Sequence, residues 1–175
     1  MLNSIRLGYG KAAFFAEVIP LIEDILRYDC ATISELNAFS IRKVCEFLDI
    51  KTEIVSDCSC YSYIEKGLRL VENCDYSAFP YMEKTNPIKK VARVIALCKF
   101  ENADTFIHAI GGTELYSKKE LAGYGIDVHF IKMNELSYSQ NCSDGSFEPN
   151  LSIIDVLMHN GKEKTKLLLN EYTLV

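Results

Sequence analysis

Residues 104–110 (DTFIHAI) and 126–131 (IDVHFI) are short apolar runs with strand character, and a glycine pair and a helix-like segment stand between them. That order constrains the fold more than any other feature of the chain. Two strands joined through a helix run parallel, because such a crossover returns the chain to the edge where it began. The crossover is expected to be right-handed. Ser117 and Glu120 have the spacing of a capping box, so a helix opens there and stops at Gly123 or Gly125. Residues 51–56, with Ile54 and Val55 at their centre, read as a third strand. The order helix, strand, helix, strand, helix, strand predicts an α/β layered fold: a small parallel sheet flanked by helices, Rossmann-like. Ligands of such sheets bind outside the carboxyl ends of the strands. The loops after Val55, Ile110 and Ile131 are therefore the first places to look.

Helix periodicity accounts for much of the rest. Phe15, Val18, Ile22, Ile25 and Leu26 recur every three or four residues within 12–28, where Pro20 is expected to kink or restart the helix. Thr32 and Glu35 form a second capping box ahead of Ile41, Val44, Cys45 and Leu48. A short helix is expected over 63–73 and an exposed excursion over 74–85. Asn86-Pro87 reads as an N-cap followed by proline at the first helical position, with Val91, Val94, Ile95 and Cys98 as the buried stripe. Asn150 is expected to cap a helix through Leu151, Ile154, Leu157 and Met158; Asn160-Gly161 breaks it before a last helix holding Leu167 and Leu168.

Composition excludes several classes. The 175 residues are 49% apolar and 25% charged, which suits one soluble domain over 1–175 with its own core. No apolar run approaches the ~20 residues of a membrane span, and the first residues lack the pattern of a signal peptide. A pI near 5.3 argues against a nucleic-acid binder. Seven cysteines, an odd number, read as free thiols in a reducing cytoplasm. Cys58 and Cys60 are C-x-C without a second pair, so no zinc site is expected, and no cofactor motif stands out.

Several constellations bear on chemistry. Gly8-Tyr9-Gly10-Lys11 lacks the spacing of a phosphate loop, and Ser40 with Lys43 lacks the partner motifs of a serine acylase. Ser152, Asp155 and His159 share a helix face, but seven residues separate serine from histidine, roughly 10 Å along the axis, too far for a triad. Asp155 and His159, four apart, can pair. Gly111-Gly112, with Glu114 and Tyr116 just beyond, is the stronger signal. Two glycines between a strand and a helix predict a positive φ at one of them and free N–H groups able to hold an anion. Tyr138, Gln140 and Asn150 flank a polar loop that offers neutral hydrogen bonds.

The run 147–157 (FEPNLSIIDVL), followed by Asn160-Gly161, resembles the C-terminal signature of the WbqC-like family. ADTFI followed by IGGTELY (103–107 and 110–116) resembles its central motif. GIDV (125–128) and Tyr138-Ser139-Gln140 fall in the expected order, and Phe14-Phe15 through Leu26 and ISELN (33–37) look like its middle helices. The resemblance covers nearly the whole chain but lacks the strand and Gln-Pro aromatic motif with which the family begins, so the chain is expected to be an N-terminally truncated form. It implies a role in O-antigen or other surface-polysaccharide biosynthesis, as an acyl or aminoacyl transferase on a nucleotide-linked amino sugar. On that reading Glu114 and Asp155 are the acid–base groups, and Gly111, Gly112, Tyr116, Tyr138, Gln140 and Asn150 bind the ligand. The rival reading is a non-catalytic binding module, a remnant of the enzyme fold. Loss of front strands would leave a sheet edge, which a second copy of the chain or residues 56–85 are expected to cover.

Overall fold

The computed structural model describes residues 1–71, 87–141 and 145–175. Its elements in chain order are α1 (Leu2–Tyr9), α2 (Phe15–Leu26), α3 (Ile33–Phe47), α4 (Ser62–Val71), α5 (Pro87–Phe100), β1 (Thr105–Ala109), α6 (Lys118–Ala122), β2 (Asp127–Met133), α7 (Ile153–Leu168) and β3 (Tyr172–Leu174). Short 3-10 turns occupy Ser59–Tyr61 and Ile110–Glu114. The chain forms two compact units: Met1–Ser56 with Asn134–Glu171, and Asp57–Met133 with Tyr172–Val175.

The first unit is helical. Val18 and Ile22 of α2, Leu48 beyond α3, and Leu157 and Met158 of α7 form its core with Ala12. Each of the larger side chains contributes roughly 1.5–3 kcal/mol by leaving water. Thr32 caps α3 by accepting from the Glu35 amide at 3.2 Å, and the Glu35 carboxylate accepts from the Ala31 amide at 2.8 Å. The capping box is thus present, shifted by one residue on its return bond. Pro20 lies inside α2, which continues through it. α1 was not foreseen from the glycines around Tyr9; Ile5 and Tyr9, four apart, turn one helix face onto the core.

α7 carries the break expected at Asn160-Gly161: Gly161 has φ 63° and ψ −170°. A Cβ at Gly161 would stand 2.4 Å from the Phe14 ring. The Phe14 amide donates to the Met158 carbonyl at 3.0 Å, so the break in α7 seats the start of α2. Asp49, beyond α3, accepts from Lys162 and Lys166 at 2.8 and 3.1 Å.

The second unit is built on a mixed sheet in the order β1-β2-β3. β1 and β2 are parallel, with Phe106 opposite Val128 and His108 opposite Phe130. Leu121, Ile126, Val128 and Phe130 pack with Val91, Val94 and Cys98 of α5. Ser117 caps α6 through the Glu120 amide at 3.3 Å. The α/β class with a parallel pair and flanking helices is as expected, but two strand assignments change. Residues 51–56 form no strand: Val55 is 56% exposed and no ladder reaches it. The third strand is instead β3, antiparallel to β2, with Met133 opposite Tyr172.

Cys30, Cys45, Cys58, Cys60 and Cys98 are free thiols. Residues 72–86, which include the whole of the expected excursion, Cys74 and the Asn86 cap, lie outside the described residues, as does Cys142. Among the described residues, no helix is long and apolar enough to cross a membrane, and no group of three acidic, histidine or cysteine side chains is placed to hold a metal.

Candidate functional site

Asp155, on the first turn of α7, is 3% exposed. A carboxylate at that depth must be hydrogen-bonded to avoid a large desolvation cost. Tyr138 donates its phenol to Oδ2 at 2.7 Å, and the Gln140 amide donates to the same oxygen at 2.9 Å. His159, one turn on, brings Nε2 to 3.5 Å from Oδ1. The Tyr9 phenol also hydrogen-bonds Asp155. Both members of the Asp155–His159 pair have side chains almost wholly buried.

The loop that delivers Tyr138 and Gln140 is pinned from its far end. Gln140 donates to the Glu148 carbonyl at 3.0 Å and accepts from the Glu148 amide at 2.8 Å, a two-way bond that holds the two residues together. Phe147 meets Tyr138 edge-on, with ring centres 5.1 Å apart. Tyr9 and Tyr138 flank the His159 ring at 5.9 and 6.4 Å.

These contacts shift the phenols. Burial first, then the hydrogen bond to Asp155, pushes Tyr138 up to about 12. Tyr9 is raised by burial, then by the charge and hydrogen bond of Asp155. Both phenols are therefore held in the protonated form that donates to Asp155.

Asn150 does not cap α7. Ser152 does, accepting from the Ile154 amide at 3.2 Å, while Asn150 is exposed with φ 60°, a left-handed turn two residues earlier. Asparagine tolerates that conformation, so the loop turns there and leaves the capping role to the serine. Near the break in α7, Asn160 donates to the Val156 carbonyl at 2.9 Å.

The other expected ligand residues lie in the second unit. Gly111 and Gly112 form part of the 3-10 turn Ile110–Glu114 that follows β1 directly, and neither has a positive φ. The expected left-handed glycine is absent, and with it the alternating geometry of an anion nest. Gly112 is needed for a different reason: a Cβ there would lie 2.4 Å from Nδ1 of His108 and 3.1 Å from the Phe130 ring. Glu114 is exposed at the end of the turn, and Tyr116 is half-buried with its ring 5.2 Å from Phe106 and 5.3 Å from His108. Of the expected residues, Tyr138, Gln140 and Asp155 are brought together by direct bonds. His159 joins the cluster through the i, i+4 pairing with Asp155 that the spacing predicts, and Tyr9 completes it with no signal in the local sequence.

The fold and this cluster define an α/β protein with a carboxylate-centred polar site on a helix. The chain matches the model of the WbqC-like protein family over residues 1–167 and belongs to that family. No curated protein and no solved structure matches it.

Proposed function

We propose that this WbqC-like protein acts in surface-polysaccharide biosynthesis as an acyl or aminoacyl transferase on a nucleotide-linked amino sugar, in the cytoplasm. Family membership supports the general assignment, and the Asp155 cluster carries the chemistry. Acyl transfer to an amine forms a nitrogen–carbon bond, breaks the bond from acyl carbon to leaving group, and releases a proton from nitrogen. A buried carboxylate paired with an imidazole is suited to take that proton and return it to the leaving group. Tyr138 and Gln140 hold the carboxylate in place. Within the second unit, Glu114 is a further candidate carboxylate, close in sequence to Gly111, Gly112 and Tyr116. Asn150, exposed, offers neutral hydrogen bonds to a sugar, and the oxygens of Tyr138 and Gln140 can also accept one.

The test is incubation of the purified chain with uridine-diphosphate amino sugars and acyl-thioester or aminoacyl donors, with products read by mass spectrometry. Transfer of one acyl group, lost in Asp155→Asn assayed well below its melting temperature, is expected. No product from any donor and acceptor pair overturns the reading.

One observation favours a non-catalytic binding module instead. The Asp155 carboxylate already accepts from three neutral donors, as a structural latch between loop and helix does. Tyr138→Phe separates the two. An enzyme shows an altered pH–rate profile, whereas a latch loses melting temperature alone.

A further inference from the structure

We infer that His108 is a ligand-recognition residue, its Nε2 accepting a hydrogen bond from an amine or hydroxyl group of a small polar molecule at the carboxyl end of β1. The ligand class rests on the nucleotide-linked amino-sugar reading above; the geometry does not.

The tautomer follows from one contact. Nδ1 of His108 lies 3.0 Å from the Ala109 carbonyl oxygen. A carbonyl can only accept, so Nδ1 carries the hydrogen, and in the uncharged form of the ring Nε2 is the acceptor. Among the described residues, no hydrogen bond or ion pair engages Nε2. The other two histidines differ: His129 and His159 direct Nε2 at Asp127 and Asp155, at 2.9 and 3.5 Å.

The ring is also held in place. It occupies the space that any side chain at position 112 would fill, since a Cβ there would meet Nδ1 at 2.4 Å and Cγ at 2.9 Å. Phe106 and Tyr116 pack on it at 5.8 and 5.3 Å between ring centres. Those contacts fix the ring plane while the residue stays partly exposed. A pre-oriented acceptor loses little rotamer freedom on binding. Its place, one residue before the end of a strand in a parallel pair, is where α/β sheets receive ligands.

The experiment is a ¹⁵N-edited NMR titration of the full chain with uridine-diphosphate glucosamine, with uridine diphosphate alone as the control. Before addition, the His108 ring is expected to show the Nδ1–H tautomer. On addition of the amino sugar its Nε2 resonance is expected to move, and much less with the control. His108→Phe keeps the aromatic packing, removes the acceptor, and is expected to weaken binding about tenfold, the cost of one neutral hydrogen bond. An Nε2–H tautomer in the wild-type chain overturns the inference even if the variant does not fold. Binding with shifts confined to residues of the first unit, or unchanged affinity in His108→Phe, overturns it and leaves the proposed function standing. No binding of the amino sugar at all overturns both.

Discussion

Asp155 accepts only, and its neighbours donate. Asp155→Asn puts an amide NH₂ where a donor already points, leaving a buried mismatch worth about 1–3 kcal/mol. For a chain of this size the melting temperature should fall roughly 3–10 °C in calorimetry. A fall in melting temperature is therefore expected whatever the role of Asp155, and only product formation bears on catalysis. The phenols give a second prediction. Tyr138 has a folded pKa raised from 10.0 to about 12, so its contribution to stability is complete below pH 10 and is lost as pH rises towards 12. Denaturant titrations of the wild type and Tyr138→Phe across that window should differ in slope; parallel curves would mean that the phenol contributes no such linkage. The adjacency of Asp155 and His159 was legible because four residues make one helical turn. The reach of Tyr138 and Gln140 to Asp155 followed from the polar loop between them. Tyr9 was not legible, because its place beside His159 depends on how α1 packs, and no local spacing encodes that.

At the scale of elements, the break in α7 makes the sharpest prediction. Gly161→Ala faces both a left-handed backbone and the Phe14 ring, and should cost about 2–4 kcal/mol in chemical denaturation. Adding Phe14→Ala should recover part of the steric share and none of the backbone share. A double variant no more stable than Gly161→Ala would show that the ring contact is not limiting. Thr32→Ala should cost about 1 kcal/mol by removing the cap of α3. Helix starts at Thr32, Ser117 and Pro87 were readable because capping chemistry is local. Residues 51–56 misled because β-branched side chains mark a strand only when a partner ladder exists. β3 was missed for the complementary reason: three residues are too few for periodicity, and its pairing with β2 is wholly non-local. Gly112 shows the same limit. The sequence pointed to a glycine for its backbone freedom, and the fold uses it for the space it leaves to His108.

At the scale of the whole molecule, each unit is assembled from two stretches of chain. The second unit closes on its last residues: the Phe130 amide donates to the Val175 carbonyl at 2.8 Å, and the Val175 amide returns the bond at 3.0 Å. A chain ending at Glu171 should lose hydrogen-exchange protection at Phe130, while Leu157 in the first unit keeps its own. Equal loss at both would show that the units unfold together. The division of the chain also orders events on the ribosome. Helices α1 to α3 are made before residues 57–133, yet the Asp155 helix that completes their core is made only after all of them. Those early helices must wait with apolar faces uncovered while β1, α6 and β2 emerge as a nearly complete piece. Synthesis proceeds at ~5–20 residues per second, so that wait lasts several seconds. The helices made ahead of the second unit are thus finished after it, and their exposed interval is where a chaperone would find them.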